Sequence, residues 1–456
     1  MKFEQRRYTL SPTVVPTGKP VTVTLKGHGD HYRFFDDIEY EVRLIPKEKR
    51  DYLINEDFDI RNFADECNIV DAYSKDGVLH FEYTFEGEQE WVLQLRAKGG
   101  QDKHFNRWRL YFKDMWNQKM FDVFSFDFRL YSVTPDLYEL EPFRGDLHTH
   151  TEYSDGNDSP ELFCANYRRF ADFIAITDHY EYSSSVRAIE SMKQLDTNFK
   201  VFPGEEVHVI PSGGRFHIVN FNGKASVNTK IIENYDGVKA EVFEIAKSFP
   251  ELSERDAQEL AWNKWITDEI RKVGGLSIYA HPYCTINHSY NCPTDITLEA
   301  IRRGFTDVYE ILNCDRHQEE TIQAALYYQF RNEGINLPIV GSTDSHAAGD
   351  YGATKAGCHS TIAFAKSVED IPQAIMDLNS VALSHKPGQN PNIYGSFRLV
   401  KYASFLLDNF YPMHDELCTA SSILMGEYFK GATELKPAIE LAETRISAYK
   451  KSFFKK

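Results

Sequence analysis

Between Asp146 and His346, six short apolar runs each end in, or enclose, a side chain that can hold a cation. His148 and His150 close DLHTH, His179 follows FIAIT, Glu206 ends VFPGEE, His217 lies inside RFHIV, His281 follows LSIYA, and Asp344 and His346 follow IVGST. Two residues apart in an extended run, His148 and His150 project from one face and can grip one ion. Alone, a His-x-His is weak evidence, because histidine serves core, surface and ligand roles alike. Its company is the constraint, since parallel barrels gather the carboxyl ends of their strands at one face. Asp155 joins through the Ser-Asp-Gly turn after the first run, where Gly156 lets the backbone fold back over the strand ends. None of these nine donors is cysteine, which points to hard or borderline divalent metals such as zinc, manganese or iron. Buried without a metal or another partner, so many polar groups would carry a heavy desolvation cost.

The runs sit in a wider pattern. After Pro142, β-like runs alternate with helical stretches: Ser159 caps a helix with Pro160 and Glu161 in its first turn, and roughly Asp256 to Lys272 leads helically into LSIYAHP. DVYEILN and CHSTIAFA complete eight apolar strands, close to a closed parallel barrel. From Pro20 to about Tyr131 the period is two instead, with apolar Val21, Val23 and Leu25; Ile38, Tyr40, Val42 and Leu44; and Leu79, Phe81, Tyr83 and Phe85. Trp91, Leu93 and Leu95, then Trp108, Leu110 and Phe112, then Phe124, Phe126, Phe128 and Leu130 continue it. Half-buried strands of this kind predict an antiparallel sandwich, whose simplest role is accessory packing, with sugar or partner binding as the other reading. Beyond Lys386 the turn-rich KPGQNPN opens a helical tail, with Tyr402, Phe405 and Leu406 at i, i+3 and i+4. The expected organisation is an all-β sandwich over residues 1–140, a barrel over 141–386 and a helical C-terminal extension over 387–456.

Composition bounds the partners. With 456 residues, 42% hydrophobic and 26% charged, the chain can bury a large core, which excludes wholesale disorder. The 51 basic against 68 acidic residues leave a net charge of −17, which opposes binding to long duplex nucleic acid and favours small molecules. No apolar stretch approaches the roughly 20 residues of a membrane helix, and MKFEQRRYTLSPTVV lacks the apolar middle of a secretory signal, so a cytoplasmic location is expected. Seven cysteines, Cys67 to Cys418, fit buried reduced thiols better than a disulfide framework. Cys284, His288 and Cys292 match no common zinc knuckle and lack an obvious fourth donor.

The motifs DLHTHTEYSDG (146–156), ITDH (176–179), PGEE (203–206), AHP (280–282) and TDSH (343–346) together resemble the polymerase and histidinol phosphatase (PHP) family. The resemblance runs from about Phe143 to Ser384, roughly half of the chain. It implies a distorted (β/α)7 barrel around three divalent ions. It also selects Glu206 over Glu205, because the fourth position of PG-x-E is the family's ligand; physics alone leaves both open. The implied assignment gives one ion His148, His150 and Asp344, a second His217 and His281 with Glu206 bridging the two, and a third Asp155, His179 and His346. The expected chemistry is phosphoester hydrolysis by a metal-activated hydroxide, on a small phosphorylated substrate or nucleotide. Asp178 and Asp146, beside ligating histidines, are candidates to orient imidazoles, with helix capping or plain surface charge as the competing readings. Arg215, two residues before His217, is a candidate phosphate clamp; Tyr180 and Tyr283 adjoin ligands, and packing competes for all three. The insertion between Asn222 and Trp265, the leading sandwich and the tail depart from the family pattern and leave the substrate open; nothing in the sequence sets the oligomeric state. An amidohydrolase-like enzyme would place a lysine where RFHIV offers His217, and a metal-stabilised scaffold would enclose each ion with four protein ligands.

Overall fold

The computed structural model describes residues 7–48, 68–97, 126–209, 216–286, 288–313, 316–348 and 356–454. They fall into two compact units, one built from Met1–Glu139, Ser404–His414 and Ser447–Lys456, the other from Leu140–Ala403 and Asp415–Ile446. Among the described residues no helix is long and apolar enough to cross a membrane.

The first unit carries eight strands: β1 (Tyr8–Ser11), β2 (Val14–Pro16), β3 (Pro20–Gly27), β4 (Glu39–Pro46), β5 (Asn68–Lys75), β6 (Val78–Thr84), β7 (Gln89–Ala97) and β8 (Phe126–Val133). They form one sheet in the order β1-β3-β6-β5-β4-β7-β8-β2, antiparallel except where β2 meets β8. Only Pro12 and Thr13 separate β1 from β2, yet the two strands occupy opposite edges. The sheet must therefore roll until its edges approach, and its concave face encloses Val23, Leu25, Val42, Leu44, Phe81, Trp91, Leu93 and Leu130. These are the inward positions of the alternation. β5 escapes that pattern because its buried positions are small, Ala72 and Ser74, while Ile69 and Tyr73 face solvent. The alternating positions Trp108, Leu110, Phe112 and Phe124 lie outside the described residues. Parts of the helical tail belong to this unit: Ser11 donates to the Ser452 carbonyl at 2.7 Å, and Tyr131 packs against Phe405 with ring centroids 5.2 Å apart.

The second unit holds two larger sheets. Strands β9 (Glu141–Asp146), β10 (Phe173–Ala175), β11 (Lys200–Phe202), β19 (His359–Ala365), β20 (Ser380–Ser384) and β21 (Asn392–Tyr394) form the first, in the order β11-β10-β9-β19-β20-β21. Strands β12 (Gly204–Val207), β13 (His217–Phe221), β14 (Leu276–Ala280), β17 (Val308–Leu312) and β18 (Ile339–Gly341) form the second, in that order; β15 (Thr285–Ile286) and β16 (Ser289–Tyr290) make a small hairpin. β9, β10 and β11 are parallel, with helices Pro160–Tyr167 and Ser183–Met192 in their connections; β14, β17 and β18 are parallel, with helices Thr294–Arg302 and His317–Asn332 in theirs.

An all-parallel barrel is not what forms. VFPGEE divides at Pro203, which has no N–H to continue a ladder, so β11 edges one sheet and β12 begins the other. The link from β12 to β13, residues 208–216, is too short for a crossover helix, and the two strands pair antiparallel. β13 with β14, β9 with β19, and β19 with β20 are antiparallel as well. Backbone bridges between Thr149 and Ser345 and between His179 and Glu206 lace the strand ends together. Phe173, Phe202, Phe221, Ile278, Val308 and Val340 fill a core shared by strands of both sheets. The insertion folds as helices Val227–Glu233, Tyr235–Ala246 and Glu254–Lys272, burying Ile231, Val238, Leu260 and Ile266 together; Ser253 caps the last by accepting from the Asp256 N–H.

Arg168, wholly buried, is held by Glu443 from the C-terminal helix through a two-pronged pair of 2.9 and 3.0 Å; Glu443 also accepts from Ser421 and the Asn198 N–H. Removing one partner strands a buried charge. Glu443→Ala is expected to lower the unfolding free energy of this unit by about 3–5 kcal/mol in urea titrations, whereas Glu190→Ala, which breaks an exposed pair with Lys193, leaves it unchanged.

Candidate metal centre

Glu206, wholly buried, sits at the centre of a ring of imidazoles. Its Oε1 faces His217 Nδ1 at 2.8 Å and His281 Nε2 at 3.3 Å. Its Oε2 faces His179 Nδ1 at 2.9 Å, His148 Nε2 at 3.2 Å, His150 Nε2 at 3.4 Å and His208 Nε2 at 3.5 Å. Asp344 Oδ1 closes another side, 2.9 Å from His150 Nε2 and 3.4 Å from His148 Nε2. At the outer margin Asp155 lies 3.2 Å from His346 Nε2 and 3.7 Å from His179 Nε2. The structure thus brings all nine anticipated donors together.

The strand ends explain the convergence. His148 and His150 follow β9 and are pinned there, as the His150 N–H donates to the Ser345 carbonyl and the Asp344 N–H to the His148 carbonyl, both at 2.9 Å. Neighbouring glutamates on β12 face opposite ways. Glu205 turns outward and accepts from Asn220, Ser226 and the N–H groups of Val227 and Asn228 at a helix start, leaving Glu206 to point inward. At Gly156 a Cβ would stand 2.4 Å from the His150 carbonyl oxygen, so close approach is what requires glycine in the turn bearing Asp155. His281 and Asp344 adopt positive φ, 28° and 52°, a strained backbone for side chains of this size.

Several of these buried atoms have no hydrogen-bond partner: Nε2 of His148, His150 and His208, Nδ1 of His179 and His217, and both oxygens of Glu206. They approach one another closely without satisfying one another, which is costly for a purely structural cluster. Three sets of donors lie within 4.8 Å of one another: His150, Asp155, His179 and His346; His148, Glu206, His281 and Asp344; and His179, Glu206 and His208. Nitrogen and oxygen donors grouped this way fit divalent ions. The groups cut across the triads implied by the family resemblance, and His217 falls in none of them.

The electrostatics agree. Burial opposes charge on His148, but Glu206, Glu310 and Asp344 overcome it and hold its pKa well above the usual 6.5. His150 is raised to about 9 against burial by Asp344 and Glu206. The surrounding imidazoles keep Glu206 and Asp344 ionised far below the carboxylate range despite burial. His217 moves the other way, down to about 4, because burial outweighs its contact with Glu206.

The neighbouring acids play different parts from those expected. Asp178 touches no imidazole: it accepts from the Thr151 N–H at 2.7 Å and from the hydroxyls of Thr151 and Ser154 at 2.6 Å each, so it fixes the turn carrying Asp155. Asp146 accepts from the backbone N–H of His148 and from Thr343 and Tyr167, tying two strand ends. The orienting carboxylate is Glu310, on β17, 3.1 Å from His148 Nδ1 and accepting from the His281 N–H at 2.9 Å. Its signal was a glutamate inside the otherwise apolar VYEIL. His208 was also missed, although its spacing of two from Glu206 is the same signal as in His148 and His150. Arg215 lies outside the described residues. Tyr283 is buried edge-on against Tyr290, a packing role, and the half-buried Tyr180 ring stands 5.1 Å from that of His208. A second zinc site at Cys284 and Cys292 does not form: Cys292 Sγ lies 2.7 Å from the Tyr279 hydroxyl, and Cys284 is disulfide-bonded, the departure from the expected reduced thiols, whereas Cys164, Cys292, Cys358 and Cys418 are reduced thiols.

No protein-family model matches the chain. Over 96 residues, 18% of the chain, it is 32% identical to the DNA polymerase/3'-5' exonuclease PolX of Bacillus subtilis, and it spans 17% of that relative's length. It is similar to a two-domain protein of Bacteroides vulgatus containing a predicted PHP-like metal-dependent phosphoesterase, at 18% identity and a TM-score of 0.37, over 54% of this chain and 66% of the other. An amidohydrolase of Chromobacterium violaceum, solved with bound sulfate and no metal, is similar over 46% of this chain and 90% of its own, at 18% identity and a TM-score of 0.31. Likeness at that level does not assign an activity.

Protons and cations compete for this centre. In metal-free protein the raised pKa of His150 contributes stability that is complete below pH 6.5 and lost as the pH climbs through about 9, His148 is raised in the same direction, and the lowered His217 acts only below 6.5. Calorimetry after chelation is therefore expected to show Tm falling across that window, and saturating manganese to abolish the fall.

Proposed function

We infer that the chain belongs to the PHP family of metal-dependent phosphoesterases, and we propose that it hydrolyses phosphoester bonds in a small phosphorylated molecule or nucleotide. The observation that carries this reading is the convergence of strand-end donors on Glu206, with orphaned buried nitrogens and oxygens facing one space. In the proposed architecture that centre crowns a distorted (β/α)7 barrel, preceded in sequence by a module whose described strands form one rolled sheet rather than a two-sheet sandwich, and followed by a helical extension.

His148, His150 and Asp344, then His217 and His281 with Glu206, then Asp155, His179 and His346 would hold three divalent ions. Such ions supply a water of lowered pKa and polarise phosphoryl oxygens. The chain's own residues do the rest. Glu310, against His148 Nδ1, leaves Nε2 aimed at the centre. The Asp344 carbonyl does the same for His346, 2.8 Å from its Nδ1. Exposure rises outward, from 0% at Glu206 to 35% at His346 and 56% at Asp155, so substrate approaches over the Asp155 corner. The net charge of −17 weighs against a long polyanion there.

Against the amidohydrolase reading, the run RFHIV places His217, not a lysine, 2.8 Å from Glu206 Oε1. Against the scaffold reading, donors that stay partly open to solvent differ from four ligands closed around a structural ion.

Reconstituted with manganese or zinc, the protein is expected to turn over p-nitrophenyl phosphate or its diester. Asp344→Asn should lower the rate at least about 100-fold, and Glu310→Gln about 10- to 100-fold. Equal rates for wild type and Asp344→Asn would remove the phosphoesterase reading.

A further inference from the structure

His208 lies outside the nine-residue pattern that the motifs supply, yet it stands inside the cluster. Its Nε2 is buried without a hydrogen-bond partner and lies 3.5 Å from Glu206 Oε2. Its ring centroid is 3.8 Å from that of His217 and 4.3 Å from that of His179. The backbone that carries it is fixed: the Asn228 side chain donates to the Glu206 carbonyl at 2.9 Å and accepts from the His208 N–H at 3.4 Å. A histidine retained only for packing would be expected to turn its ring nitrogens to water or to a partner. This one aims Nε2 at a carboxylate that other imidazoles already face.

The two oxygens of Glu206 divide the neighbours. His217 and His281 lie on the Oε1 side, and His148, His150, His179 and His208 on the Oε2 side. Two ligands bonded to one ion at roughly 2.0–2.2 Å lie about 3 to 3.5 Å apart at octahedral or tetrahedral angles. The 2.9 Å from Oε2 to His179 Nδ1 and the 3.5 Å to His208 Nε2 match that spacing, and the three donors lie mutually within 4.8 Å.

We propose that His208 is a tenth metal-ligating residue, which with His179 Nδ1 and Glu206 Oε2 holds a divalent cation on the Oε2 side of the carboxylate, so that His179 serves this ion rather than the one at Asp155 and His346. The proposal rests on the reading of this cluster as a metal centre. It gives Glu206 Oε2 an ion shared with His179 and His208, while His148 and His150 approach the same oxygen together with Asp344.

Anomalous diffraction from wild-type crystals soaked in manganese tests it without any substitution. The expected result is a peak within about 2.5 Å of His208 Nε2, His179 Nδ1 and Glu206 Oε2. Peaks elsewhere in the cluster but none within about 3 Å of His208 would overturn the tenth ligand and leave the metal centre standing. An absence of peaks throughout would overturn both. In a parallel manganese titration followed by electron paramagnetic resonance, His208→Asn is expected to weaken one class of bound ion at least tenfold and leave the others in place. Identical isotherms for variant and wild type would count against the ligand.

Discussion

A single ionised carboxylate, sealed from water, organises this molecule. Glu206 has no exposed surface, and none of the six imidazole nitrogens around it makes a hydrogen bond of good geometry with it. An isolated buried charge is among the most expensive features a protein can carry, and it persists only where opposite charge or metal answers it. Without cations the answer is protons on His148 and His150; with cations it is coordination. The same atoms serve either way, which links folding stability, pH and metal content through one cluster.

The fold exists, in this account, to deliver side chains to that carboxylate. β9, β10, β14 and β18 each run toward the centre; backbone bridges stitch the ends of β9, β10 and β18, and the Glu310 carboxylate holds the His281 N–H after β14. Pro203 makes the break that lets β11 and β12 serve different sheets, and the period of two then sends Glu205 to a helix start and Glu206 to the centre. Supporting groups are buried in turn: Asp146, Asp178 and Glu310 each accept two or more hydrogen bonds or imidazole contacts, so the ligand loops have little freedom to rearrange.

Much of this was legible in the sequence. Most of the nine donors could be read because they sit where an apolar run breaks off at a polar residue, with His217 at the start of its strand and Asp155 in a following turn, and the strands of the first unit because large inward side chains alternate. What stayed hidden has physical causes. β5 buries only small residues, so its period is masked. The antiparallel pairings depend on how short a connection is and on where Pro203 falls, which no hydrophobic period reports. Glu310 stood inside an apolar strand rather than at its end, and His208 lies just past the end of β12, beyond the motif that carries Glu206. Asp178 shows the converse: adjacency in sequence to His179 suggested contact, but consecutive residues on an extended chain point apart.

The most direct test of the account is the metal content of Glu206→Gln beside that of the wild type, by plasma mass spectrometry after dialysis against manganese and then against buffer. More than one tightly held equivalent is expected in the wild type, with loss of most of it when this one carboxylate is neutralised. A wild type that emerges without metal, or a variant that retains the full complement, would contradict it.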